Sequence, residues 1–138
     1  MFTTPADHVW GGGMWAEEPL AGVIASGMTS TIDGDGNTAA LAAMDSNINT
    51  GMQDHQAAKL CADLTAHGKA DWYLPAVDEL LVLYTNRVAI GGFDTAGEAY
   101  WSSTETNVEN ARMVRFNTGM SPSGMKTQHL LFRCVRQT

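Results

Sequence analysis

The stretch Asp71-Trp72-Tyr73-Leu74-Pro75 constrains the fold of this chain more than any other, because it sets two large aromatic side chains just before a proline. Proline is tolerated in the first turn of a helix, and apolar residues recur at helical spacing from residue 77 to residue 84. A second aromatic stretch, residues 100–105, has the composition of a strand. Aromatic side chains with apolar neighbours are usually buried. We therefore predict a fold-defining core of Trp72, Tyr73, Pro75, Leu80 and Trp101.

The whole chain predicts an α+β fold, with two helices packed on a small twisted antiparallel sheet and long loops between the elements. The first helix is expected from Asp54, a capping residue, to about His67, with Gly68 as its stop signal. The second is expected to begin just after Pro75 and to reach residue 84. Strands are expected at 100–105, 111–116 and 130–136, and loops at 32–52 and 86–97.

Charge and hydropathy exclude two classes of function. The chain has 138 residues, a size that fits one domain, and a net charge of −7. All of that net charge lies in the first 58 residues, which contain seven acidic residues and no Lys or Arg. Nucleic-acid binding is not expected, because it depends on Lys and Arg that neutralise phosphates. Membrane insertion is not expected either, since the sequence has neither a long apolar run nor the features of a signal peptide.

Residues 1–30 are interpreted as an N-terminal arm, and residues 31–138 as the folded domain. The arm combines three consecutive glycines with two tryptophans and shows no helical or strand period. An arm of this kind cannot bury its large apolar side chains by itself, so it is expected to pack on its own core or on a neighbouring subunit. The candidate attachment or oligomer residues are Val9, Trp10, Met14 and Trp15.

No metal, cofactor or catalytic activity is predicted. Residues 33–37, Asp-Gly-Asp-Gly-Asn, resemble the start of a calcium loop, but Thr38 stands where that loop needs Gly and Met44 where it needs Glu. A hydrogen-bonded turn is the preferred interpretation, with a bound cation as the alternative. The four histidines are scattered, and no Ser-His-Asp or Cys-His arrangement is visible.

The two cysteines, Cys61 and Cys134, leave two alternatives open. Each falls on a face shared with apolar residues, at helical spacing around Cys61 and at alternating spacing around Cys134. A disulfide would join the first predicted helix to the last strand, whereas two buried free thiols would suit a reducing compartment. The sequence does not choose between them.

Four motifs stand in order along the chain: Ala57-Ala58-x-Leu60-Cys61, Asp71-Trp72-Tyr73-Leu74-Pro75-x-x-Asp78-Glu79-Leu80, Tyr100-Trp101-Ser102-Ser103-Thr104-Glu105 and Arg133-Cys134-Val135-Arg136. Together they resemble the family typified by the C-terminal domain of a bacterial collagen-like adhesin. The resemblance covers roughly residues 33–138. It implies a C-type-lectin-like fold, similar also to formylglycine-generating enzymes, of a kind that occurs in bacterial surface proteins and in phage tail-fibre and virion proteins.

The resemblance implies a non-enzymatic surface protein. We expect a phage virion protein, a decoration or fibre module that displays the domain outward. Its arm would attach the module to other virion proteins or join copies of the chain into a homotrimer. It would be made in the host cytoplasm and end on the virion surface. The alternative is an adhesin module of a tail fibre or of a bacterial cell surface that binds a host glycan or protein receptor. The candidate ligand-binding residues lie in or beside two C-terminal loops: Asn107, Glu109, Arg112, Lys126 and His129.

One departure from the family concerns the start of the second helix. Family members usually have Ser after the proline, and Ser with a Glu three residues later makes a capping box. Here Ala76 replaces the Ser while Glu79 is present. We therefore expect the helix to begin without a side-chain cap.

Overall fold

The computed structural model describes residues 1–4, 8–16, 26–45, 55–96 and 99–137, and for residues 8–13 and 45 it describes the backbone only. These ranges contain four helices: α1 (Gly34–Asp45), α2 (Gln56–Ala62), α3 (Val77–Thr85) and α4 (Arg87–Ile90). They also contain seven strands: β1 (Phe2–Thr3), β2 (His8–Gly13), β3 (Ala99–Glu105), β4 (Asn110–Arg115), β5 (Ser123–Met125), β6 (Leu130–Phe132) and β7 (Val135–Arg136). The α+β class is therefore confirmed, although with more elements than we predicted.

The strands form two sheets. The larger sheet has the order β2-β6-β3-β4-β5, and the smaller one pairs β1 with β7. Within the larger sheet β3 and β6 run parallel, with Tyr100 opposite Leu131, while the other pairs are antiparallel. The prediction of an antiparallel sheet was therefore wrong at this pair. The chain reaches β6 from β3 only after passing through β4 and β5, and this path brings β6 back alongside β3 in the same direction.

Two apolar clusters lie on the two faces of the central strands. Successive side chains of a strand point to opposite faces, so Tyr100 and Trp101 enter different clusters. One cluster contains Trp15, Trp72 and Trp101, and the other contains Tyr73, Leu80 and Tyr100. All five predicted core residues are buried. The core prediction is therefore confirmed.

Helix α1 occupies a segment that we predicted as a loop, and its stability comes from contacts outside the helix. Asp33 caps its start, because Asp33 Oδ1 accepts the Gly36 N–H at 2.9 Å. The Thr38 hydroxyl bonds both the N–H and the carbonyl of Leu74, and Leu41 is fully buried. Gly, Asp, Asn and Thr are poor helix formers, so tertiary packing outweighs propensity in this segment.

Helix α2 is shorter than predicted, and helix α3 begins where expected. α2 ends at Ala62, and Gly68 belongs to a separate tight turn instead of the helix end. Asp54, the predicted cap, lies outside the described residues. At α3, Glu79 accepts the Ala76 N–H at 3.1 Å, but Ala76 has no oxygen to bond the helix in return. Half of a capping box is therefore present.

A disulfide joins Cys61 in α2 to Cys134, the residue before β7. It closes a sequence separation of 73 residues. In the chain-entropy model a loop of this length is worth about 4 kcal/mol, before any native strain is subtracted. Of the two alternatives for the cysteines, the structure contains the bonded one.

No helix in the described ranges is long and apolar enough to cross a bilayer.

Candidate functional site

The five predicted ligand-binding residues do not form one site. Asn107 and Glu109 lie in the turn between β3 and β4, whereas the loop after β4 leaves the opposite end of that antiparallel hairpin. Asn107 Oδ1 accepts the N–H groups of Glu109 and Asn110 at 3.0 and 2.9 Å. The Asn107 side chain therefore shapes its own turn, while Glu109 is exposed.

Arg112 and His129 also lie apart. The Arg112 guanidinium donates to the Ser121 carbonyl at 3.0 Å and to the Ser121 hydroxyl at 2.9 Å, and so holds the loop after β4 in place. His129 is exposed on the segment that leads into β6. Of the five residues, Glu109 and His129 present exposed side chains without a structural hydrogen bond to the described residues.

The prediction that Lys126 binds a ligand was wrong, because its side chain is buried. Its ammonium lies 2.7 Å from Glu105 Oε2, and the two side chains are 0% and 2% exposed. The same ammonium lies 4.7 Å from the centre of a Trp15 ring. A buried charge must be paired and hydrogen-bonded. Lys126 therefore has a structural role and is not available to a ligand.

Glu105 completes this buried network. Its carboxylate also accepts the N–H and hydroxyl of Ser26 and the N–H of Gly27, at 2.8, 2.9 and 3.1 Å. Burial by itself raises the pKa of Glu105, but the hydrogen bonds from Lys126, Ser26 and Gly27 outweigh burial and hold this pKa below its usual value. The network ties residues 26–27 to the end of β3.

The predicted attachment residues of the arm are placed unequally. Trp15 is 1% exposed, and its Nε1 donates to the Ser102 carbonyl at 2.8 Å. It packs on its own core, which was one of the two expected outcomes, and its side chain is not exposed to another subunit. Met14 is half-buried. The side chains of Val9 and Trp10 lie outside the described residues.

A cavity of ≈ 310 Å³ that opens to solvent lies where the two ends of the chain meet. Six residues line it: Phe2, Thr3, His67, Lys69, Trp72 and Arg136. They come from β1, from the turn at residues 66–69, from the stretch at residues 71–75 and from β7. The pairing of β1 with β7 brings the first and last of these segments together.

The wall of the cavity is fixed by Trp72. Its indole is 5% exposed, and Nε1 donates to the Ala66 and Lys69 carbonyls at 3.3 and 3.2 Å. These bonds attach the turn to the core. The Phe2 ring, which also lines the cavity, is 52% exposed and lies 5.7 Å from the Arg136 guanidinium.

The charge of the cavity is positive, unlike that of the chain. The charged side chains that line it are those of Lys69 and Arg136, with His67 beside them, and no carboxylate lines it. Arg136 is held from outside by Asp71, with Nε–Oδ1 and Nη2–Oδ2 distances of 2.7 and 3.0 Å. The hydrogen bond from Arg136 lowers the pKa of Asp71 below its usual value. Within the described residues, neither the Lys69 ammonium nor the His67 imidazole has a hydrogen bond or ion pair, so both can meet a ligand.

This arrangement can bind a small anionic ligand against aromatic surfaces. Its volume lies at the lower end of the range for small-molecule sites. Rings supply apolar contact area, and cations supply charge-assisted hydrogen bonds to a carboxylate or sulfate. In the described part of the chain there is no group of His, Cys, Asp and Glu side chains placed to hold a metal ion. Asp33, considered above as a cation ligand, serves as the helix cap.

A family model described as the Lcl C-terminal domain matches residues 12–136 of the chain. The chain belongs to the Lcl C-terminal domain family. This result confirms the resemblance to the C-terminal domain of a collagen-like adhesin, and it indicates an adhesin-type module of that class. The match begins inside the segment that we interpreted as an arm. No curated protein matches the chain.

Sequence reasoning identified parts of the cavity without recognising it. Trp72 and Arg136, which line the cavity, both stand in the motifs that carry the resemblance. These two distant motifs meet through the backbone bridge between Tyr73 and Val135 and through the ion pair between Asp71 and Arg136. Phe2 and His67 gave no signal, because their positions depend on strand pairing and on an unusual turn. Gly68 was the available clue to the turn, since Gly supplies the positive φ that tight turns need.

Proposed function

We propose that this chain is a non-enzymatic, adhesin-type recognition module with a C-type-lectin-like fold, which binds acidic sugars of a surface glycan in the cavity between its two termini. The observation that carries this proposal is the sign of the cavity. In a chain with net charge −7, the charged side chains that line the cavity are those of Lys69 and Arg136, and no carboxylate lines it. A local charge opposite to that of the whole chain favours an anionic ligand.

The aromatic walls support a sugar as the body of that ligand. The Phe2 ring is 52% exposed, and the buried Trp72 indole forms part of the lining of the cavity of ≈ 310 Å³. The C–H face of a pyranose packs on such rings, and the hydroxyl groups at its edge suit a site that opens to solvent. The Trp72 indole N–H is already bonded to backbone carbonyls, so it offers packing and no hydrogen bond.

The cations support an acidic sugar over a neutral one. A carboxylate or sulfate beside Lys69 would gain a charge-assisted hydrogen bond, which is roughly twice as strong as a neutral one. Arg136 lies at the same rim, where its guanidinium donates two hydrogen bonds to Asp71. An anionic group of the ligand could replace Asp71 as the partner of Arg136, because the Asp71 side chain is 59% exposed and exposed ion pairs contribute little.

The experiment is an NMR titration of the isotope-labelled protein. The probes are a glucuronic-acid-containing disaccharide, a sulfated disaccharide and a neutral disaccharide. The proposal expects shift changes at residues 66–72 and 136 with the acidic probes only. Lys69→Ala should weaken binding roughly tenfold, by the loss of one charge-assisted bond.

The matched control is Lys59→Ala. Lys59 lies on α2 outside the cavity and is engaged by Asp63 at 2.8 Å, so its removal should leave binding unchanged. Equal responses to acidic and neutral probes, or equal effects of the two lysine variants, would contradict an anion site in the cavity.

We propose in addition that the module works as a homotrimer on a phage virion, packed against copies of itself and other virion proteins. Supporting this role, three apolar side chains of α3 and α4 are exposed: Val82 at 51%, Val88 at 88% and Ile90 at 37%. These three side chains lie on successive helices, and exposed apolar side chains that cluster on one surface mark protein interfaces. Size-exclusion chromatography with light scattering should give the mass of a trimer for the wild-type protein. The Val88→Asp variant should give a lower mass, close to that of the monomer. A monomer for wild type at high concentration would remove this role.

A further inference from the structure

The turn at residues 66–69 contains a backbone conformation that its sequence does not favour. Among the described residues, positive φ occurs at five glycines and at one other residue, His67, with φ of 53°. Side chains disfavour this left-handed region, although His tolerates it better than most residues. His67 is therefore an exception to a pattern that the rest of the described chain follows.

Both central residues of the turn are left-handed. Gly68 has φ of 73°, and Ala66 and Lys69 exchange two backbone hydrogen bonds of 3.0 Å. These are the features of a type I′ turn, which strongly prefers Asn-Gly at its centre. Asn at position 67 would fit this backbone better than His does.

The His67 side chain faces the cavity. Its ring centre lies 6.4 Å from that of Trp72 at an interplanar angle of 57°, and Lys69 ends the same turn. No hydrogen bond from the described residues holds the imidazole, which is exposed. Strained residues at the edge of a cavity are more often kept for function than for stability.

We infer that His67 is a ligand-contacting residue, and that the turn at residues 66–69 holds His67 and Lys69 as a pair against the anionic group of the ligand. This inference rests on the proposed function and adds a second contact to the same site. An imidazole can donate a hydrogen bond to a carboxylate or sulfate and stack on a sugar face.

The experiment compares the thermal stability and probe affinity of His67→Asn with those of wild type. Removing the strained residue should raise the melting temperature by about 2–4 °C. Losing the imidazole should weaken binding of the glucuronic-acid disaccharide roughly tenfold. The two effects have opposite signs, so a variant that is merely misfolded cannot produce both.

Two control variants separate the contributions. Gly68→Ala adds a side chain at positive φ where no atom lies within 4 Å, so it should lower the melting temperature through the backbone alone. His129→Asn removes an exposed histidine elsewhere and should change neither quantity.

A more stable His67→Asn variant with unchanged affinity would overturn the ligand contact, while a loss with Lys69→Ala would still support the proposed function. A less stable His67→Asn variant would overturn the strain argument. A wild-type protein that binds neither acidic probe would overturn the proposed function and this inference together.

Discussion

Two ion pairs with the same 2.7 Å separation occupy contrasting regions of the molecule. Lys126 and Glu105 are sealed between residue 15, residues 26–27 and β3, with 0% and 2% of their side chains exposed. Arg136 and Asp71 lie at the cavity rim, with 14% and 59% exposed. The shortest N–O distance is the same in both, so burial and the additional donors to Glu105 distinguish the structural pair from the pair at the rim.

The physical reason is the cost of taking a charge out of water. A buried pair has already lost its hydration, and removing one partner leaves the other with neither water nor counter-charge. A pair in contact with water is screened, and its partners can exchange for another ion at little cost. The first pair therefore fixes the fold, while the second can change partners during binding.

The largest expected effect is the loss of the buried pair. Lys126→Met leaves the Glu105 carboxylate buried and without its cation, which should cost about 3–5 kcal/mol of unfolding free energy. Denaturant unfolding followed by fluorescence measures this quantity, and Trp15 beside Lys126 is a local reporter.

The control for this prediction is the double variant Lys126→Met with Glu105→Gln. It removes both charges, so it should be more stable than Lys126→Met alone. A Lys126→Met protein as stable as wild type would show that Ser26 and Gly27 satisfy the carboxylate unaided, and the contrast between the two pairs would fail.

The next largest effect is expected in the dependence of stability on acid pH, which should be large for Glu105 and small for Asp71. The folded-state pKa of Glu105 is lowered from the ordinary value of 4.5, so its contribution to stability is complete above that value and is lost as the pH falls through the folded pKa. Melting temperatures from neutral pH to about pH 3 should therefore decline most steeply below pH ~4.5. In the double variant this decline should flatten, whereas Asp71→Asn should leave it almost unchanged, because that carboxylate is exposed.

The contrast between the pairs also shows what the sequence could and could not predict. Periodicity and aromatic neighbours correctly placed Trp72, Tyr73 and Trp101 in the core, since these signals are local. Lys126 looked like a surface cation, because its burial depends on Trp15 and Glu105, which are distant in sequence.

Local sequence signals also failed to predict helix α1, strand β5 and the cavity. Helix α1 has poor propensity and depends on partners such as Leu74 and Glu79, so composition suggested a loop. Strand β5 has three residues, too few for a periodic pattern. The cavity requires β1 to pair with β7 across the length of the chain, and no sequence pattern carries that pairing.

Glu79 is an intermediate case, a partly buried carboxylate held by neutral donors. It accepts the Gly34 and Ala76 N–H groups at 2.8 and 3.1 Å and the Tyr73 hydroxyl at 2.7 Å. Ala76→Ser would add the missing half of the capping box and should raise stability by about 1 kcal/mol. Calorimetry measures the change. A lower melting temperature would mean that the buried site at Ala76 has no room for the hydroxyl.

The smallest effect on stability is expected at the rim pair. Asp71→Asn frees the Arg136 guanidinium, so the melting temperature should stay within error of wild type while the acidic disaccharide binds more tightly, roughly two- to fivefold. Isothermal titration measures the affinity. Weaker binding would mean that Asp71 is needed to orient Arg136, and that the rim pair is as fixed as the buried one.

The pairing of β1 with β7 has a practical consequence for anyone who handles this protein. Phe2 and Arg136 stand one residue and two residues from the ends of the 138-residue chain, and both line the cavity. A purification tag or fusion partner at either end would therefore leave the domain beside the opening and compete with a ligand for it. Affinity measurements should use untagged protein, and labels are better placed on the far side of the sheet.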